Sequence, residues 1–239
     1  MEIDHKGKPS VAAILLAAGS STRMGEASRG GNKVLLEIGG EPILLQSLRT
    51  ILAVTEINKV VLVHRKSDGG TVQEILAQVP GQERVCAVAG GKERFDSVYN
   101  GLNILSESPP GIVAIHDSAR PFTTERIFRE TIEQARKHGA ATVAISLSDT
   151  LKREEDGFLI ETLPRAEHYR VQTPQAFRFD LIWEAHQHFR INPSSKITDD
   201  CMLLEREGHK IALVEGDERN IKITTQFDLE VAEMIARTL

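Results

Sequence analysis

Strand-length apolar runs alternate with helix-length amphipathic segments along most of this chain, and that alternation admits few folds. The runs lie at residues 11–17, 59–64, 84–89, 112–116 and 141–145. Between them, Leu44, Leu45, Leu48, Ile51 and Leu52 repeat at helical spacing, with Pro42 suited to a first turn. Residues 71–79 and 124–138 read as further helices, as does the face Phe95, Val98, Tyr99 and Leu102. Successive βα units joined this way place their strands side by side in the same direction. The predicted class is therefore α/β: a Rossmann-like, mainly parallel twisted sheet with flanking helices.

The alternation breaks at about 146–170. Thr150-Leu151-Lys152-Arg153 and Phe158-Leu159-Ile160-Glu161-Thr162 alternate apolar with polar around Asp156-Gly157, a hairpin turn signal. A protruding β-hairpin arm is the reading. An isolated hairpin is marginal in water, so it rests either on a second subunit or on its own domain. Beyond it, helices are expected at 179–189 and 198–207 and strands at 211–214 and 221–223. Thr225 and Asp228 form a capping box for a last helix, expected to turn Val231, Met234, Ile235 and Leu239 inward. Residues 1–239 thus read as a single domain with a mid-chain arm.

A length of 239 residues with 41% hydrophobic residues suits one large core. The net charge of -5 leaves no basic footprint for nucleic acid or an acidic membrane, so an anionic ligand must be met by a local cation cluster. No run of about eighteen apolar residues exists, and the first nine residues lack an apolar core of a signal peptide, so a cytoplasmic protein is expected. Cys86 and Cys201 stand apart from any metal or redox spacing and read as structural filler. His186 and His188 lack the spacing of a helix-borne metal pair, and no protein metal site is expected.

One strand end stands out chemically. Leu15-Leu16-Ala17-Ala18-Gly19-Ser20-Ser21-Thr22-Arg23-Met24-Gly25, with Lys33 further on, combines small residues with two cations. Ala17, Ala18 and Gly19 let backbone N–H groups approach a ligand, Arg23 offers a planar fork to phosphate oxygens, and Lys33 a compact charge. A tight βα turn with a solvated Arg is the alternative. The spacing fits neither G-x-G-x-x-G nor G-x-x-x-x-G-K-[ST]. Because ligands of open α/β sheets bind beyond the carboxyl ends of strands, two further loops join this one: Gly90, Gly91, Lys92, Arg94 and Ser97, then Asp117, Ser118, Ala119 and Arg120. Arg94 paired with Glu93 or Asp96, and Ser97 as a helix cap, are the alternatives there.

The first of these runs resembles the L-A-A-G-x-x-x-R-M signature of sugar-phosphate nucleotidylyltransferases. Gly90-Gly91-Lys92-Glu93-Arg94-Phe95-Asp96-Ser97-Val98, His116-Asp117-Ser118-Ala119-Arg120-Pro121, Asp149-Thr150-Leu151-Lys152, Gln172-Thr173-Pro174-Gln175, Thr198-Asp199-Asp200 and Asn220-Ile221-Lys222-Ile223-Thr224 follow in the order of the 2-C-methyl-D-erythritol 4-phosphate cytidylyltransferase family of non-mevalonate isoprenoid synthesis. The resemblance implies that Ala17, Ala18, Gly19, Gly91, Lys92, Ser97 and Ser118 surround the CTP nucleotide. It implies that Arg23 and Lys33 hold the triphosphate and transition state, with Lys222 beside them. It further implies that Asp117, Arg120, Thr150, Arg165, Thr198 and Lys222 bind the polyol phosphate, and that the arm crosses into a partner in a homodimer. Three departures accompany it: the segment between Arg23 and Lys33 is longer than usual, Asn32 stands where a Pro usually precedes the Lys, and Lys92 occupies an often acidic position.

A phosphate monoester, with a second pKa of about 6, is already an anionic nucleophile at neutral pH and needs no general base. Catalysis then consists of aligning two anions and neutralising the transition state, with Mg²⁺ bridging the CTP phosphates and few protein ligands. Rival readings are cytidylyl transfer to ribitol 5-phosphate, uridylyl or guanylyl transfer, and a non-catalytic nucleotide-binding regulator.

Overall fold

The computed structural model describes residues 10–19, 31–193 and 197–238. Its frame is a seven-stranded sheet whose first strand in the chain, β1 (Val11–Ala17), lies inside it. In chain order there follow β2 (Glu37–Ile38), β3 (Glu41–Pro42), α1 (Ile43–Ala53), β4 (Ile57–His64), α2 (Gly69–Leu76), β5 (Val85–Ala89), α3 (Arg94–Ser106), β6 (Ile112–Asp117), α4 (Glu125–His138) and β7 (Ala140–Ser146). Next come β8 (Leu151–Glu155), β9 (Phe158–Leu163), β10 (Tyr169–Arg178), α5 (Phe179–Ile191), α6 (Cys201–Arg206), β11 (Ala212–Glu215) and α7 (Gln226–Ala236). The sheet order is β11-β7-β10-β6-β1-β4-β5. Every neighbouring pair is parallel except the two made by β10, which runs antiparallel to β6 and β7.

β1 reads as an unbroken apolar run because both faces of the sheet are covered. Its pleat sends Val11, Ala13, Leu15 and Ala17 into one layer with Leu44, Leu48 and Ile51 of α1 and Ile127, Phe128 and Ile132 of α4. Ala12, Ile14 and Leu16 face the other layer, with Val98, Leu102 and Leu105 of α3 and Phe179 and Ile182 of α5. The α4 ends are set locally. Thr124 Oγ1 accepts from Ile127 N at 3.3 Å, and Gly139, at φ 90°, closes the carboxyl end.

The hairpin arm is present as a separate two-stranded ladder, β8 with β9. Asp156 and Gly157 turn it with φ of 52° and 83°, the left-handed pair that a two-residue hairpin loop requires. Its own domain leaves Phe158 72% and Leu159 71% exposed.

Several expectations are corrected. Residues 169–178, assigned to no element in the sequence reading, form the longest strand among the described residues, β10; the register shifts between Val171 and Gln175, so the ladder skips Pro174. Residues 221–223 are not a strand; Ile223 N meets only the turn at Ala119 O, 2.9 Å away. The helix expected at 198–207 is confined to Cys201–Arg206. On α7, whose capping box is as expected, Met234 is 67% exposed, while Ala232 supplies the buried contact. Cys86 is exposed on β5, whereas Cys201 is buried filler. Leu239 lies outside the described residues.

Candidate active site

β1 pairs with β4 on one side and β6 on the other, so the chain changes direction across the sheet there, and a crevice opens beyond the carboxyl ends of the strands. A cavity of about 750 Å³ occupies it, walled by Gly19, Lys33, Gly91, Asp117, Thr198 and Lys222. Ala18, Lys92 and Ser97 also line it. Loops far apart in sequence meet because parallel strands deliver all their carboxyl ends to one edge.

Small residues form the wall between the loop at Ala18-Gly19 and the loop at Gly90-Gly91. A Cβ on Gly90 would stand 2.5 Å from the Ala18 Cβ, and one on Gly91 would collide with Asp96. Ser97 fixes this turn, accepting from Gly91 N at 3.2 Å and donating to Glu93 O at 3.1 Å. It is not the helix cap: Glu93 is, in a capping box with Asp96.

Lys33 opens a 3-10 turn, Lys33–Leu35, and is 9% exposed at the cavity wall. Arg23 and its neighbours at 20–30 lie outside the described residues.

Charges on the opposite wall form a chain. Lys222 Nζ donates to Asp117 Oδ2 at 2.5 Å, Arg94 Nε lies 3.6 Å from Asp117 Oδ1, and Arg94 Nη1 lies 2.7 Å from the buried Asp200 Oδ2. Behind Asp200, His186 Nε2 lies 3.4 Å from Oδ1, its ring stacked on Phe95 at 4.6 Å. Arg94 therefore pairs with neither sequence neighbour but with carboxylates brought by β6 and α6. Burial alone would raise the Asp117 pKa, but Lys222 and Arg94 outweigh it and hold the carboxyl far below the ordinary range. Asp200 is likewise held low, by Arg94 and then His186. Asp117 stays ionised, so Lys222 enters the cavity already partnered.

His116, next to Asp117 in β6, has a defined tautomer. Its Nε2 donates to Arg120 O at 3.2 Å, and its Nδ1 accepts from Thr173 Oγ1 at 3.0 Å, while Thr173 Oγ1 accepts from Asp117 N at 3.1 Å. Burial chiefly lowers its pKa from 6.5 to about 4. A depressed folded pKa stabilises fully above the unfolded value, so stability is expected to fall as pH drops from 6.5 through about 4. The expected loss is about 3 kcal/mol. Urea melts at neutral and acidic pH measure it, and His116→Gln should flatten that window.

The remaining residues fall into three places. Ala17 is buried at the end of β1, and Ser118 is turned away from the cavity, its Oγ donating to Leu16 O at 2.7 Å. Arg120 is buried, donating to Asn220 O at 2.7 Å. Its pKa is lowered by burial. Thr150 and Arg165 lie exposed at the arm's root, away from the cavity lining, with Arg165 Nη1 donating to Ser148 O at 2.8 Å.

The Gln-Thr-Pro-Gln and Asn-Ile-Lys motifs turn out to hold one another. Asn220 Nδ2 donates to Gln172 Oε1 and Thr173 O at 3.1 and 3.0 Å, and Gln175 receives Asp200 N at 3.2 Å while donating to Asp199 Oδ2 at 2.8 Å. These contacts set Lys222 and Asp200. Sequence reasoning assigned no role to Asp200, Thr173, Asn32 or Arg65. The only signal for Asp200 was its place in the Thr198-Asp199-Asp200 run, and nothing marked Arg65.

The fold and site define an α/β protein with a cation-lined crevice at its switch point. Residues 11–238 match the family model for 2-C-methyl-D-erythritol 4-phosphate cytidylyltransferase, and the chain belongs to that family. A Geobacillus thermodenitrificans protein of that name is 40% identical over 93% of this chain and 95% of its own. One from Caldanaerobacter subterraneus is 40% identical over 95% and 99%. The crystal structure of 4-diphosphocytidyl-2C-methyl-D-erythritol synthase from Anaerococcus prevotii superposes with a TM-score of 0.85 at 34% identity, covering 95% of this chain and 96% of that one.

Among the described residues, no group of three or more His, Cys, Asp or Glu side chains could hold a metal ion. Among them, too, no helix is long and apolar enough to cross a membrane.

Proposed function

We propose that this protein transfers the cytidylyl group of CTP to 2-C-methyl-D-erythritol 4-phosphate, giving 4-diphosphocytidyl-2-C-methyl-D-erythritol and pyrophosphate. The observation that carries this reading is the crevice itself: in a chain matched over residues 11–238, Lys33, Gly91 and the Asp117–Lys222 pair line one cavity. In the reaction a phosphate oxygen of the acceptor attacks the α-phosphorus of CTP. A new P–O bond forms, the bond to the β-phosphate oxygen breaks, and that electron pair leaves with pyrophosphate. No proton must be removed, because the acceptor phosphate is already an anion.

On this reading Ala17, Ala18, Gly19, Gly91, Lys92 and Ser97 enclose the nucleotide, and Ser118 supports that wall from behind. Lys33, with Arg23, stabilises charge on the α-phosphate. Lys222 and Asp117 meet the acceptor, with Thr198 on the same wall and Arg120 fixing the Asn220 backbone beside Lys222. A lone Asp117, already held by two cations, is no metal cage, and this suits Mg²⁺ carried mainly by the triphosphate. When bound, the cation supplies neutralisation of the phosphate charge.

The enzyme works as a cytoplasmic homodimer, one nucleotidyltransferase domain per chain. Thr150 and Arg165 stand at the arm's root outside their own chain's cavity, and the arm carries exposed Phe158 and Leu159 that a second copy would bury. The double variant Phe158→Asp, Leu159→Asp is expected to sediment as a monomer and raise the KM for the polyol phosphate by about tenfold or more. A dimer with unchanged kinetics contradicts the shared site.

Pyrophosphate release tests the activity. Release with CTP, lost on EDTA addition and absent with UTP or GTP, is expected. Equal rates with UTP would transfer the reading to uridylyl chemistry.

A further inference from the structure

Gly19 and Asn32, either side of residues 20–30, are both held from one place. Arg65 and Asp68 lie on the turn that follows β4. Arg65 Nε donates to Gly19 O at 2.8 Å, and its Nη2 reaches the same oxygen. Asp68 Oδ2 accepts from Asn32 Nδ2 at 2.8 Å, while its Oδ1 accepts from Ser67 Oγ at 2.8 Å.

Asn32 is 5% exposed and adjoins Lys33. Its amide nitrogen also donates to Ala17 O at 2.6 Å, and its Oδ1 accepts from Val34 N at 3.4 Å, capping the turn that begins with Lys33. Both amide protons and the oxygen are used. A flipped amide would set its oxygen against the Ala17 carbonyl and the Asp68 carboxylate, so the orientation is fixed. One side chain thus joins the end of β1, the entry to α2 and the backbone carrying Lys33.

We propose that Asn32 and Asp68 are positioning residues for Lys33, Asp68 acting on the reaction through Asn32 although it lies outside the cavity lining. This rests on the reading of Lys33 as a phosphate-binding cation. A proline at this position would stiffen the approach to Lys33 covalently, by fixing φ near −65°. Asn32, at φ −88° and ψ 121°, stiffens it by hydrogen bonds instead. Among the described residues no backbone carbonyl accepts from its N–H, so a proline there would break no backbone bond to them. The strut from Asp68 is needed only because the residue is Asn.

That dependence gives the test, a double-mutant cycle read by steady-state kinetics with CTP and methylerythritol phosphate. Asp68→Ala alone is expected to lower kcat by about 10- to 100-fold, the scale of a small misplacement of a catalytic group. The KM for the polyol phosphate should stay within about twofold. Asn32→Pro should retain most of wild-type kcat, and adding Asp68→Ala to it should change kcat by less than about twofold. Should Asn32→Pro not fold, Asn32→Ala replaces it; it should lose as much as Asp68→Ala, and the double variant no more. An Asp68→Ala loss equal in both backgrounds, or absent from both, overturns the proposal. Lys33→Ala serves as reference. Wild-type turnover in Lys33→Ala removes the reading beneath the proposal, whereas a silent Asp68→Ala beside an inactive Lys33→Ala overturns the strut alone.

Discussion

Lys33→Ala is expected to lower kcat by about 10²- to 10³-fold while the protein melts close to wild type. The cation stands in a turn whose next residue, Val34, is 3% exposed and anchored in the core. Lys33 as a residue is 9% exposed, so its charge acts in a poorly solvated crevice where a preset charge is worth far more than in water. Truncation removes that charge without touching the sheet. Lys33→Arg should not restore the rate, because a planar fork replaces a compact charge in a confined turn. Steady-state kinetics beside a thermal melt check both statements. Near-normal turnover in Lys33→Ala would contradict the role given to Lys33.

The largest loss of stability is expected for Asp200→Ala, about 3 to 5 kcal/mol. Asp200 is buried, its side chain 1% exposed, and it is the nearest counter-ion of Arg94 at 2.7 Å. Its removal leaves the guanidinium with Asp117 at 3.6 Å and takes the partner from His186 Nε2. Burial disfavours the Arg94 charge, and at present Asp200 and then Asp117 more than offset this. For a chain of this length the midpoint should fall by about 10 °C. Activity should fall as well, since Arg94 shares Asp117 with Lys222. A variant as stable as wild type would mean that Arg94 finds another partner and that the charge chain is incidental.

The parallel sheet was legible because buried strands and amphipathic helices carry different periods, and Val11 to Ala17 fits only the first. The arm was legible through Asp156-Gly157, whose left-handed pair leaves few alternatives. β10 was not, because Pro174 breaks the propensity signal and its antiparallel place is fixed by tertiary pairing to Ala114 and Ala141. The crevice residues Gly19, Lys33, Gly91, Asp117 and Lys222 could be gathered from the strand-end rule and the family pattern. Their partners could not. Arg94 beside Glu93 gives no hint that it will reach Asp200, and Arg65 gripping Gly19 O depends on β4 lying next to β1. Met234 shows the converse: an apolar period predicts a buried face only where something covers it.

The most direct test offers the enzyme CTP and Mg²⁺ with an equal mixture of methylerythritol 4-phosphate and ribitol 5-phosphate, and weighs the cytidylylated products by mass spectrometry. The account predicts 4-diphosphocytidyl-2-C-methyl-D-erythritol almost alone, with one pyrophosphate released for each product formed. A predominance of cytidylylated ribitol would keep the chemistry of Lys33 but contradict the acceptor assignment, and no cytidylylated product at all would contradict the activity.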